Sequence, residues 1–220
     1  MVNVLDKVQP KNKIQLKRLI DYAFKHNIYD LNFIDTSKIT NMSNLFINCE
    51  YDIDVSNWDV SNVTNMYRMF AWCKIFNSDI SNWDVSNLKN MNNMFYCCKN
   101  FDCDLSNWNV SNVTDMYSMF TACENFKGKG IENWDVSKVT DMRYMFYNCK
   151  NFNCDLSNWD MSKALRINEM FYGCKNFEGK GLENWKLEKT LFYYNIFAGC
   201  DKVKLPSWYK AFLKRCNLII

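Results

Sequence analysis

The chain has 220 residues, of which 48% are hydrophobic and 23% charged, with a formal net charge of +3. That balance argues against disorder, the charge is too small to argue for nucleic acid, and no run approaches the roughly 20 apolar residues of a membrane span. Only 6 Gly and 2 Pro are present, so the turns must be built from Asn, Asp and Ser, which tolerate tight backbone geometry.

The start, MVNVLDKVQP, shows no apolar signal core and no cleavage pattern, which predicts a soluble, unexported chain. In KNKIQLKRLIDYAFKHN, the spacing of Ile14, Leu19, Ile20 and Ala23 predicts an amphipathic helix, so residues 1–30 read as an N-terminal helical cap. The only histidine, His26, falls there, leaving His-dependent metal sites and catalytic triads little to work with. Next, LNFIDTSKITNMSNLFINC reads as a degenerate first copy of a repeat, with Ile34 in place of a tryptophan.

Six tryptophans, Trp58, Trp83, Trp108, Trp134, Trp159 and Trp185, then set a period, with steps of 25, 25, 26, 25 and 26. The extra residue in each longer step lies where FNSDISNW and FDCDLSNW become FKGKGIENW and FEGKGLENW, so Gly130 and Gly181 mark a turn that absorbs an insertion. Three residues before each tryptophan stands an aliphatic (Val55, Ile80, Leu105, Ile131, Leu156, Leu182), and two after it another (Val60, Val85, Val110, Val136, Met161, Leu187). This LxxLxL-like spacing predicts a short strand with its tryptophan inward. Val63, Met66, Met69, Phe70 and Cys73 then fall 3, 3, 1 and 3 apart, which predicts a short helix capped by Ser61, with the same serine at 86, 111, 137 and 162. The fold expected is an α/β repeat: a leucine-rich-repeat-like solenoid of about seven rungs over 31–205. Each 25–26-residue rung has one parallel strand and one short helix, and caps close both ends. LPSWYKAFLKRCNLII supplies the second cap, 206–220, with Trp208, Phe212 and Leu213 as an apolar lid.

The copies DISNWDVSNVTNM, the MFxxC after each, and the entry DLNFIDTSKITNMSNLF together resemble the BspA-type leucine-rich-repeat proteins, in the branch of bacterial surface proteins of unknown function. The resemblance runs from about residue 10 to about residue 210. It implies a leucine-rich-repeat-like solenoid and a role in adhesion or protein binding at a cell or particle surface, and it offers no catalytic residues. MSKALRINEMF and LEKTLFYYNIF keep the apolar positions but lose the SNVTNM wording.

Seven cysteines share one column, Cys49, Cys73, Cys98, Cys123, Cys149, Cys174 and Cys200. An odd total of 11 cysteines favours reduced, buried thiols over disulfides, and with them a reducing compartment such as the cytoplasm. A single-file column lacks the convergence that zinc requires, and Cys97 beside Cys98, or Cys103 and Cys154 two rungs apart, do not supply it. The tryptophans and methionines read as core rather than as a stacking platform or a soft-metal site. GKG at 128–130 and 179–181 lacks the remainder of a phosphate-binding loop. No cofactor motif and no set of acid, base and nucleophile emerges, so no enzyme activity is expected.

The outward residues flanking each tryptophan form two regular columns: Asn57, Asn82, Asn107, Asn133, Asn158 and Asn184, then Asp59, Asp84, Asn109, Asp135, Asp160 and Lys186. Stacked asparagines can hydrogen-bond along a ladder. Stacked aspartates repel by about 0.8 kcal/mol at ~5 Å in water, so they need an offset, either local bonds to the following Ser and Asn or a cation or basic partner surface. This surface suits two functions. One is a non-enzymatic protein-binding or adhesion module using this face toward a protein or surface ligand; the other is an assembly protein docking onto itself or a larger particle through face, caps or the AFLKRCNLII tail.

Overall fold

The computed structural model describes residues 7–216. The opening MVNVLD and the last four residues of the expected C-terminal tail lie outside them. Among the described residues there are two α-helices, two single-turn 3-10 helices and no β-strand. The expected leucine-rich-repeat solenoid, with a strand and a helix in every rung, is therefore overturned. Hydrogen bonding gives the reason. From Val55 to Phe76 the backbone closes a series of four-residue turns: Trp58 N–H donates to Val55 O, Val63 to Val60, Met69 to Met66, Cys73 to Phe70 and Phe76 to Cys73, at 2.9–3.2 Å. Each turn begins and ends on a core residue, so an i, i+3 apolar spacing that also suits a helix is met here without one.

Two residues per rung take the left-handed conformation, as at Arg68 (φ 53°) and Trp72 (φ 68°), and in the next rung at Asn93 and Cys97. That handedness stops helix propagation after a single turn. It also aims alternate amides along the stack: Arg68, Phe70 and Trp72 donate to Asn92 O, Met94 O and Tyr96 O of the next rung, while Met69, Ala71 and Cys73 donate within their own turns. Between rungs this leaves only isolated parallel bridges, running Asn41, Asn65, Asn90, Asp115, Asp141, Arg166, Phe192. No helix starts at Ser61 or its copies at 86, 111, 137 and 162. Their amides donate instead to the side chain two residues earlier.

Stacking the rungs merges the apolar columns into one core. Phe46, Phe70, Phe95, Phe120, Phe146, Phe171 and Phe197 stack at 5.5–5.8 Å between ring centroids, within 9° of parallel. Each tryptophan of the column is buried, and its indole N–H donates to a carbonyl of the preceding rung: Trp58 to Leu31 O, Trp83 to Val55 O, and so on to Trp185 and Leu156 O, at 2.8–3.3 Å. The thiols do likewise. Cys73, Cys98, Cys123, Cys149, Cys174 and Cys200 each donate to the phenylalanine carbonyl one rung back, at 2.9–3.0 Å.

At the insertions, Gly130 (φ 91°) and Gly181 (φ 86°) lead into the short helices Ile131–Asn133 and Leu182–Asn184. A side chain at either position would run into the preceding rung's backbone, at Ser106 and at Ser157 respectively. The two ends carry the α-helices. In α1 (Lys13–Lys25), Asn12 caps the N-terminus and Leu16, Ile20 and Ala23 face the core. Ile14, expected on the inner face, is 66% exposed, because the buried stripe runs from Leu16 instead. In α2 (Ser207–Arg215), Tyr209 is buried, and the indole of Trp208 donates to Leu182 O at 2.8 Å, extending the tryptophan column by one member from a helix.

Candidate binding faces

The outward surface of a rung is held in shape by side-chain turns. Asp59, Asp84, Asn109, Asp135 and Asp160 each accept, through Oδ1, the amide of the serine two residues on, at 2.9–3.1 Å. Of the two offsets the sequence left open, the local one is present. Hydrogen bonds from Ser86, Ser137 and Ser162 hold the carboxyls of Asp84, Asp135 and Asp160 below the usual carboxylate range. These three carboxylates are therefore ionised near neutral pH, each with Oδ2 outside that bond.

All twelve candidate residues are exposed: Asn57, Asp59, Asn82, Asp84, Asn107, Asn109, Asn133, Asp135, Asn158, Asp160, Asn184 and Lys186. The asparagine column is not a continuous amide ladder; within it, among the described residues, only Asn158 Nδ2 donates to the neighbouring Asn133 Oδ1, at 3.4 Å. The amides that do tie rungs together lie five residues further along. Asn62, Asn87 and Asn112 donate Nδ2 to Ser37 O, Ser61 O and Ser86 O, at 2.7–3.0 Å. Their regularity is thus structural, and the SNV wording that carries them contained the signal.

Two more sets of side-chain turns frame this surface. Asp54, Asp79, Asp104 and Asp155 accept from the serine amide two residues on. Asn65, Asn90, Asp115 and Asp141 do the same for the residue after the following methionine. The GKG lysines reach back one rung, Lys129 to Asp104 and Lys180 to Asp155, each at 2.8 Å. These contacts, ahead of the serine bonds, bring both carboxyls down to about 2.

A second surface, around the MxxMF turns, varies from rung to rung. It carries Tyr67 beneath Arg68, Tyr117 beneath Arg143, and a stacked Tyr147–Tyr172 pair at 4.8 Å. Asp141, only 6% exposed, takes the Arg143 guanidinium through both of its oxygens and has Arg166 at 3.6 Å.

Chemistry in the core is shut off by burial. Desolvation pushes the Cys73 and Cys200 thiols up to about 12 and raises those of Cys98, Cys123 and Cys174 well above the ordinary thiol value, so thiolate nucleophiles are suppressed. Among the described residues all 11 cysteines are free, and no three His, Cys, Asp or Glu side chains converge on a point where a metal could sit. No helix among them is long and apolar enough to cross a membrane.

The repeat is also what the family comparison detects. The family described as "Mycoplasma protein of unknown function, DUF285" matches residues 14–130 and again 103–208, two overlapping placements that together span the described rungs. The chain belongs to this family. No curated protein and no solved structure matches it.

Proposed function

We propose that the chain is a non-enzymatic binding module whose Asn/Asp face engages a basic protein or surface ligand. The observation that carries this reading is the division of labour within each rung. The tryptophan, methionine, phenylalanine and cysteine columns go into stacking, whereas the columns beside each tryptophan stay exposed and hold a carboxylate in four of the six rungs that these tryptophans mark. A rigid row of like charges at a fixed repeat favours a cationic partner of matching spacing, and speeds encounter more than it deepens affinity.

The test is capture of partners from a lysate of the source organism, with Asp84→Lys plus Asp135→Lys as the control. Both positions are exposed and outside the core, so the fold should survive the loss of the two serine bonds, which a retained cooperative melting transition would establish. Partner recovery should fall sharply in the double variant and with added salt. Recovery equal to that of the parent would sink this assignment of the face.

A further inference from the structure

Within the MxxMF turns the stack has a direction: amides such as those of Met142 and Tyr144 point toward the C-terminal rung, whereas those of Thr64, Thr114 and Leu191 point back. In the sixth rung Ile167 N–H donates to Phe192 O and Glu169 N–H to Tyr194 O. The corresponding amides of the last rung, on Tyr193 and Asn195, find no acceptor among the described residues. Here the outward wording also changes. Positions that carry Thr and Asn or Asp in most earlier rungs become Leu191 and Phe192, followed by Tyr194, and these three are 68%, 48% and 47% exposed. α2 covers the inner part of the rung, with Phe212 on Tyr193 at 4.4 Å and Tyr209 on Phe197 at 5.0 Å, and leaves the outer part open.

Charge identifies what suits this edge. Residues 186–216 hold seven basic side chains against two acidic ones, more than the excess of the whole chain. Lys189, Lys210, Lys214 and Arg215 make no ion pair among the described residues. Head-to-tail addition of a second copy would satisfy the amides, but residues 7–25 at the other end carry six basic side chains against the single Asp21, so like charges would meet. Two copies joined edge to edge would bring donors against donors.

We propose that the open edge of the last rung takes up an extended, acidic segment of a separate polypeptide. Its carbonyls would accept from Tyr193 and Asn195 N–H, its apolar side chains would cover Leu191 and Phe192, and its carboxylates would face Lys210 and Lys214. This shares with the binding function of the Asn/Asp face only the premise of a protein partner, and it uses a different surface.

The experiment measures binding of a short synthetic peptide of alternating glutamate and valine to the full chain, with a lysine–valine peptide as the comparison. Amide hydrogen exchange at Tyr193 and Asn195 is read with and without peptide. The acidic peptide should bind and protect both amides, and its affinity should drop at least about tenfold in Lys210→Glu plus Lys214→Glu and in Phe192→Ser. The Asp84→Lys plus Asp135→Lys variant should bind it like the parent, which separates this site from the Asn/Asp face. Equal binding of the two peptides, binding without amide protection, or indifference to the edge variants would each overturn the proposal. So would light scattering that shows a dimer abolished by Phe192→Ser, since a second copy would then occupy the edge.

Discussion

Gly130→Ala tests whether the insertion turns are dictated by the neighbouring rung or merely by their own conformation. At φ 91° an alanine gives up about 1–2 kcal/mol to left-handed strain. Its methyl would also strike the Ser106 amide nitrogen and lie 2.6 Å from the Leu105 carbonyl carbon. Both are backbone atoms that cannot swing aside, so displacement should add about 1–3 kcal/mol. Gly199→Ala isolates the first cost. It too has positive φ, at 71°, but its added methyl meets nothing closer than Gly173 Cα at 3.4 Å. Urea unfolding of the two variants should therefore differ by about 1–3 kcal/mol, or roughly 2–12 °C in melting temperature for a chain of this size. Because repeat arrays can open piecewise, amide exchange around Trp134 should report the larger loss locally in Gly130→Ala. Equal costs for the two would refute the claim that contact with the preceding rung fixes the glycine.

Trp134→Phe removes the indole donor to Leu105 O, leaving that carbonyl only the Trp108 N–H; with the lost volume it should cost about 1–3 kcal/mol by urea denaturation, and near-zero cost would deny the tryptophans a clamping role. A thiol reagent applied to the native chain should modify the exposed Cys216 first and the half-buried Cys97 next, leaving Cys98, Cys123, Cys149 and Cys174 silent until unfolding; mass spectrometry reads the order. Acid should destabilise through Asp104 and Asp155. Their folded values, near 2, lie below the unfolded one, so their contribution is complete above about pH 4 and fades as pH falls toward about 2. Asp104→Asn plus Asp155→Asn should flatten the stability curve in that window, and an unchanged acid limb would rule the pair out.

What could be read from the sequence was periodicity and sidedness. The tryptophan, aliphatic, methionine, phenylalanine and cysteine columns lie inside, with Leu187 and Cys200 of the last rung partly buried, because a residue's hydrophobicity reports its side of the chain whatever backbone carries it there. Backbone type was not readable for the same reason. A chain of four-residue turns buries residues i and i+3, so Val63, Met66, Met69 and Phe70 imitate a helical face. Val55, Trp58 and Val60 imitate a strand. The distinguishing information sits in the left-handed positions, where Asn44, Asn93 and Gly173 suit that conformation but Arg68, Trp72, Tyr144 and Glu169 have no intrinsic preference for it. Only the stacked neighbours hold them there.

The same dependence bears on where the binding faces must be. A residue whose conformation is set by the rung on either side can change freely only if its side chain takes no part in that support. Asn62, Asn87 and Asn112 look as uniform as Asp59, Asp84 and Asp135, yet the amides of the first set bond to the adjacent rung while the carboxylates of the second bond only within their own turn. Uniformity alone therefore does not mark a binding surface. Substituting Asn87→Ala should cost about 0.5–1.5 kcal/mol by removing an inter-rung hydrogen bond. Asp84→Asn keeps its serine bond and should leave stability nearly unchanged while lowering affinity for a cationic partner. If Asp84→Asn instead proves the more destabilising of the two in urea, the aspartate column belongs to the scaffold and the Asn/Asp face loses its claim to function.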